Sequence, residues 1–513
     1  MESKSKKSIL NFSTALLYKL MVIAVGLILP RLFVTNYGSE INGLQSSVKQ
    51  FFTYIALLEA GVGTSALQSM YLPVATGDQK KTNAYLSAVS HHYNRTGCIY
   101  FIVLTVLAIG YALVVPVQGL SVPQIMLYVL LSGATTGISF FYAAKVKLLI
   151  SAVGDQFIVN WITMGTFVVS SVLKVALIRL SVNILLVEAA FLAVNLFSIG
   201  VYLYVAKRKY SWLSFSEKPD FSCVEQKGSV MIHRIASAIF QNVDVVLLTL
   251  FCDLKTVSVY AMYKMVINMV TSVVGEIGNS VQFVLGQQFN GEATEEKQQY
   301  CRLIDTFNVY YSAIAFGLYA VAYVFLIPFM RLYTEGMDMN YIFPLLPVLY
   351  IVMEYLMVGR EAMMRTIEVA GHFKKTRIRT LIELIINVVS SLVLMLYFSH
   401  KLGAVGGLYG VLAGTIISLL YRTIDINIYA NKNILHRSAF KTFGVMLINA
   451  VLFALIALGF RSVSLSIGNY AQFIGHGCWV TVAVVGLFLL IQSIVNKKEC
   501  AYLLSYVKAK LHK

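Results

Sequence analysis

The side chains best suited to chemistry in this sequence are ionic and amide groups set inside membrane-length apolar runs. From Val257 to Phe289 the chain places Tyr260, Lys264, Asn268, Thr271, Ser272, Glu276, Asn279 and Gln282 on one side of a helical wheel. At about 100° per residue they share roughly 160° of arc, and the rest of the wheel is Val, Ile, Met and Leu. A charge at mid-bilayer costs about 2.5 to 3.5 kcal/mol on insertion scales, so such a stripe must face protein or water. The helix is therefore expected to border a wet cavity. The preceding run, 230–251, has its own polar face of His233, Arg234, Ser237, Gln241 and Asp244 within roughly 100°. Asp244 sits at mid-depth among aliphatic residues, which favours a paired or protonated carboxyl. Pairing with Arg234 or Lys264, ion coupling and substrate contact are all open to it. Asn11, Tyr18 and Lys19 lean to one side of the first run, and Gln45, Lys49, Thr53 and Glu59 share a broad face of the second.

Three of these cations, Lys19, Arg234 and Lys264, suit an anionic ligand. Phosphate or diphosphate in a low-dielectric cavity would be held by charge-assisted hydrogen bonds. Neutralisation by Asp244, Glu276 and Glu59 accounts for the same residues equally well. The remaining intramembrane charges are Arg95, Lys174, Glu188, Glu354, Glu383, Arg422 and Asp425. Of these, Arg95, Arg422 and Asp425 lie near span ends, where reaching toward headgroups is the expected behaviour.

Several chemistries find no support. The six cysteines form no CxxC or Cys/His cluster, so neither a metal site nor a disulfide framework is indicated. No GxxxxGK[ST] loop is present. Gly403, Gly406, Gly407, Gly410 and Gly414 instead follow small-xxx-small spacing, the pattern of close helix packing in membranes. No cofactor is called for; proton or sodium coupling stays open.

The elements that must position these residues are membrane spans. The 513 residues are 58% hydrophobic and 13% charged, against about 25% charged in soluble domains. Apolar runs predict about 14 spans, centred on 11–33, 45–71, 90–115, 123–143, 156–179, 184–206, 230–251, 257–289, 303–330, 341–359, 379–399, 404–429, 440–460 and 471–495. Pro30–Arg31 is expected to end the first, and the basic start of the chain reads as a retained helix rather than a cleaved signal. An even count puts both termini on one side. With that side cytoplasmic, the inside segments hold roughly 28 of the 41 Lys and Arg and the outside ones about 7. The formal charge of +17 is thus mostly topology, not a nucleic-acid surface. VVSS at Val168–Ser171 returns at Val388–Ser391, 220 residues on. The pattern from Leu32–Phe33 to Gly43–Leu44 returns 218 residues on, from Leu250–Phe251 to Ala261–Met262. Two agreeing offsets suggest a duplicated six-helix unit. The expected domains are 1–206 (spans 1–6), a cytoplasmic linker 207–229, 230–430 (spans 7–12), and 431–513 with two further spans and a basic tail.

The segment LPRLFVTNYGSEINGLQSSVKQFFTYIALLEAGVGTSALQSMY, with FQNVDVVLLTLF leading to VSVYAMYKMV and the late Gly403–Gly414 helix, resembles polysaccharide flippases. These belong to the multidrug, oligosaccharidyl-lipid and polysaccharide exporter superfamily. The resemblance implies an all-α polytopic fold with two six-helix lobes in a V, spans 1, 2, 7 and 8 lining a cavity, and two appended helices. It implies a non-enzymatic flippase that moves undecaprenyl-diphosphate-linked oligosaccharide from the cytoplasmic to the outer leaflet of a bacterial membrane by alternating access. The fourteen spans are also similar to the layout of lipid II flippases. The site then expected has Lys19, Arg234 and Lys264 on the diphosphate, Tyr260, Asn268 and Gln241 on sugar, and Asp244, Glu276 or Glu59 in coupling. Its partners are the polyprenyl-linked glycan, membrane lipid and other polysaccharide-assembly proteins, with no nucleic acid. The rivals are an ion-coupled exporter of amphipathic cations and a membrane polymerase or glycosyltransferase. The short outer segments count against the enzyme.

Overall fold

The computed structural model describes residues 4–59, 62–224, 228–289, 294–461 and 467–511, and every regular element among them is helical. The chain forms two compact units, Met1–Ser258 and Val259–Lys513.

The first unit holds α1 (Lys4–Tyr37), α2 (Ser39–Ala56), a 3-10 turn at Leu57–Glu59, α3 (Val62–Thr76), α4 (Gln79–Val114), α5 (Val122–Phe141), α6 (Ala143–Ala152), α7 (Gln156–Arg179), α8 (Ile184–Lys209) and α9 (Gly228–Phe251). The first helix does not stop at Pro30 as expected. It carries that proline inside and ends where Gly38 takes φ 88°. A proline forfeits one backbone bond, which membrane helices tolerate; a left-handed φ ends the helix outright. Fully buried Leu44, Leu86, Tyr100, Leu149 and Ile178 belong to the unit's core. Polar groups inside it are satisfied in pairs. Lys174 of α7 donates to Glu188 of α8 at 2.8 Å, with both side chains under one-tenth exposed. The segment after α8, read from sequence as a linker, is tied down by Asn83 Nδ2 to the Trp212 carbonyl (3.1 Å) and Ser87 Oγ to that of Phe215 (3.2 Å).

In the second unit are most of α10 (Leu254–Phe289), then α11 (Thr294–Tyr333), α12 (Leu345–Val369), α13 (Phe373–Leu402), α14 (Ala404–Asn433), α15 (Phe440–Arg461), α16 (Tyr470–Val495) and α17 (Lys497–Leu511). The glycine pattern does what its spacing predicts. A Cβ on Gly406, Gly410 or Gly414 would collide with the backbone of Phe398, Leu394 or Ser391 on α13. Gly403 at φ 67° makes the turn between the two helices. Arg422 and Asp425 do not reach toward headgroups. Arg422 is 2% exposed and bonds Asp425 at 2.7 Å and Thr380 at 3.1 Å, and lies 3.2 Å from Glu383. Arg360 and Arg379 complete the cluster on Glu383 and Asp425. The reason is charge: two carboxylates on α13 and α14 neutralise guanidiniums locally, which is cheaper than stretching them to water. Asp305 of α11 likewise takes both Arg437, bidentate at 2.9 and 2.6 Å, and Lys441, which also reaches Glu499 of α17.

Among the described residues, eleven helices are long and apolar enough to cross a membrane: α1, α4, α5, α7, α8, α10, α11, α13, α14, α15 and α16. The other three expected spans fall on α2 with α3, on α9 and on α12. The first is interrupted by the 3-10 turn, α9 (Gly228–Phe251) enters this comparison only through its described side chains, Ala238–Phe251, and α12 is charged through its second half. The protein is an all-α, multi-pass membrane protein.

Candidate functional site

The polar stripe on α10 straddles the edge of the second unit. Tyr260 at its start is 1% exposed, whereas Asn268, Glu276 and Asn279 are exposed. Lys264 lies half-buried between them. Its Nζ donates to the Tyr260 hydroxyl at 3.2 Å and stands 5.1 Å from that ring's centre. Tyr350 of α12 fixes this tyrosine, packing 5.9 Å from its ring and donating to its carbonyl at 3.1 Å.

The stripe meets a partner face on α12. On α12, Glu354, Glu361, Arg365 and Glu368 follow one another at intervals of seven, four and three residues. At about 100° per residue they fall within roughly 60°. The expected span ends at residue 359, whereas α12 runs on to Val369 and carries three of the four beyond that point. Glu354 accepts from the Tyr319 hydroxyl at 2.7 Å, and Tyr319 in turn meets Thr271 of α10 at 3.0 Å. Lys264 is close enough to Glu354 to act on it electrostatically. Further along, Arg365 bonds Glu361 (2.8 Å), Gln282 (2.9 Å) and Asn279 (3.0 Å), and Gln282 reaches Glu368 at 3.4 Å. Gly278 leaves room for this guanidinium: a Cβ there would be 3.2 Å from Nη2. The α10–α12 seam thus carries two polar groupings, Lys264 and Thr271 with Tyr319 and Glu354, and Asn279 and Gln282 with Arg365, Glu361 and Glu368, while Glu276 lies exposed on α10 between them.

In the first unit the expected residues are spread over three elements. Lys19 is half-buried on α1. Glu59 closes the 3-10 turn after α2 and accepts from the Tyr93 hydroxyl of α4 at 2.7 Å. On α2 itself, Lys49 and Thr53 are exposed beside half-buried Gln45. On α9, Gln241 is exposed, while Asp244 is 3% exposed and within electrostatic range of Tyr54. The side chains of His233, Arg234 and Ser237 lie outside the described residues. The structure therefore brings Tyr260 and Lys264 together directly, adds Glu354 to them, and sets Gln241 and Asp244 in opposite environments on one helix. Among the described residues no group of three or more His, Cys, Asp and Glu could hold a metal ion.

An α-helical chain with ion pairs sealed inside its units and polar faces left at their edges invites comparison with transporters. No protein-family model and no curated protein matches the chain. Solved structures do. The lipid II flippase MurJ, in an inward closed conformation, aligns with a TM-score of 0.57 at 14% identity over 94% of this chain and 99% of its own. A point mutant of the Vibrio cholerae MATE transporter VcmN aligns with a TM-score of 0.54 at 16% identity over 85% and 99%. An inward-facing multidrug resistance MATE family transporter of the MOP superfamily aligns with 0.53 at 15% over 83% and 98%. The chain has a MOP-type transporter fold. These neighbours are transporters and flippases, not enzymes. At such identities the likeness concerns the fold alone, and the α12 carboxylates and Lys264 have to be interpreted from their own chemistry.

Proposed function

We propose that this MOP-type protein is a flippase for undecaprenyl-diphosphate-linked oligosaccharide, working by alternating access in a bacterial cytoplasmic membrane with both termini cytoplasmic, in surface polysaccharide synthesis. One observation carries the reading. A lysine in a membrane-length helix, Lys264, is held by a phenol hydroxyl on a helix edge whose next turns expose Asn268 and Glu276. Exposed amide and carboxylate groups at mid-span are affordable only beside water. An ammonium there suits the diphosphate, and amides suit sugar hydroxyls. In this reading Lys264, Lys19 and Arg234 take the diphosphate. Asn268 and Gln241 contact sugar, with Tyr260 acting from its buried position by fixing Lys264. Asp244, Glu276 or Glu59 takes part in proton or sodium coupling. MurJ, a lipid II flippase with the same fold, supports a lipid-linked substrate, and other assembly proteins of the same pathway are natural partners.

The test is reconstitution into vesicles with a fluorescent lipid-linked oligosaccharide, with lipid II as a parallel substrate. Lys264→Ala and Arg234→Ala should abolish flipping while leaving the protein folded in the bilayer. Wild-type flipping by both variants would remove the cationic site.

A second reading, an ion-coupled exporter of amphipathic cations, is favoured by the four carboxylates on the α10–α12 seam. It predicts that Glu354→Gln stops efflux of a lipophilic dye cation driven by a proton or sodium gradient. Absence of such efflux in the wild-type protein, with flipping intact, would dismiss it.

A further inference from the structure

The first unit contains a cavity that no part of the proposed site uses. Bounded by α1, α6, α7 and α8, it has a volume of about 150 Å³, room for about five waters. All of its lining residues but Phe167 and Phe191 carry a polar side-chain group, and Lys147 of α6 is its one cation. Lys147 Nζ stands 4.6 Å over the Tyr202 ring. No carboxylate of the described residues lies within ion-pair reach of it; Glu59 acts on it only from a distance.

The hydroxyls around this ammonium are already oriented. Thr166 donates to the Ile162 carbonyl at 2.8 Å, Ser170 to Phe167 at 3.1 Å and Ser198 to Asn195 at 2.8 Å. Asn195 commits one of its two amide N–H groups to the Phe191 carbonyl at 2.8 Å and keeps the other. A hydroxyl that has given its proton to the helix offers only lone pairs to a ligand. Asn195 then presents its Oδ1. The cavity thus combines acceptors on several sides with one cation and two neutral donors, the Tyr18 hydroxyl and the second Asn195 N–H, and Phe167 and Phe191 complete the wall.

A bare phosphate would meet too many acceptors, and a neutral sugar would leave the ammonium unanswered. We propose that this cavity binds a single sugar ring bearing one carboxylate. Its hydroxyls donate to Thr166, Ser170, Ser198 and Asn195, and its carboxylate accepts from Lys147. The ring comes either from the glycan of the lipid-linked substrate, an assignment that rests on the flippase reading, or from a free sugar acid.

Binding is measured on the purified full-length protein by thermal shift and calorimetry with glucuronate, glucose and inorganic phosphate. Glucuronate should bind more tightly than either comparison ligand. Lys147→Gln should weaken glucuronate by about tenfold or more and leave glucose unchanged, the size expected for losing a charged hydrogen bond. Asn195→Asp, which sets a negative group in the wall, should weaken glucuronate as well, and Lys147→Arg should retain binding. Phosphate binding equal to glucuronate, or glucuronate binding indifferent to Lys147→Gln and Asn195→Asp, overturns the assignment. The source is read separately in vesicles. If the glycan fills the cavity, Lys147→Gln slows flipping of an oligosaccharide ending in glucuronate but not one ending in glucose. If both flip normally while free glucuronate still binds through Lys147, the site serves a free sugar acid. Failure of the flippase reading would show as no flipping of either oligosaccharide by the wild-type protein and would leave these binding measurements intact.

Discussion

Lys174 and Glu188 offer the sharpest test of which intramembrane charges serve structure alone. Their side chains are 9% and 4% exposed, the Nζ–Oε1 distance is 2.8 Å, and the ammonium stands 4.1 Å from the centre of the Phe191 ring. Removing one partner leaves the other charge buried without compensation, which costs about 3 to 5 kcal/mol. Replacing both with apolar groups of similar volume removes the desolvation penalty with the attraction, so the pair can be exchanged at little cost. Lys174→Met and Glu188→Gln should each lower the folded-to-unfolded ratio by roughly a hundredfold to several thousandfold. The double variant Lys174→Met/Glu188→Leu should recover most of that loss. The assay is reversible denaturation in detergent, followed by flipping on the double variant, which should stay near wild type. If the single variants are neutral, the pair is not buried in the working protein. If the double variant folds well but cannot transport, the ion pair belongs to the transport machinery and the separation drawn here fails.

Two further outcomes follow from packing. Gly410→Val should destabilise the α13–α14 hairpin by about 1 to 3 kcal/mol or more, because its side chain must displace the Leu394 backbone rather than a flexible tip; unchanged detergent stability would contradict that close approach. Asp305→Asn should loosen α17 by releasing Arg437 and Lys441, seen as faster tryptic cleavage at Lys497 and Lys498, and an unaltered cleavage rate would mean the ion cluster holds nothing.

Hydropathy made the spans legible because the bilayer demands long apolar helices, and the eleven that qualify all coincide with expected runs. The Gly406–Gly414 spacing was legible for a similar reason: small residues every four positions have one main use in a membrane helix. Pro30 misled because a lone proline bends more often than it breaks such a helix, whereas Gly38 carried the real stop. Arg422 misled because depth was read along the sequence, without the neighbours Glu383 and Asp425 that neutralise it. The α12 row was missed because its charges looked like the start of a loop. Intervals of seven, four and three from Glu354 were the available signal, and they mark one helix face.

Lys147 and Lys174 show why burial alone does not assign a role to a membrane lysine. Both belong to the first unit, and both have an aromatic ring within 5 Å. Phe191 is common to their surroundings, packing under Lys174 and forming part of the wall of the cavity that Lys147 enters. The two differ in their anions. Glu188 spends the charge of Lys174 inside the protein, and the residues around it supply nothing more for a ligand to use. Around Lys147 the Thr166, Ser170 and Ser198 hydroxyls have given their protons to the helices, and the nearest protein answers to the charge are the Tyr202 ring and a distant Glu59. An ammonium kept at the cost of desolvation without a protein carboxylate is hard to explain by folding, and easy to explain by an anionic ligand. Lys264 is a third case: it rests on the Tyr260 hydroxyl within electrostatic range of Glu354, and Asn268 one turn further on is exposed. Lys147 and Lys264 thus stand apart from the guanidinium cluster of α12 to α14, where Glu383 and Asp425 already hold the charge.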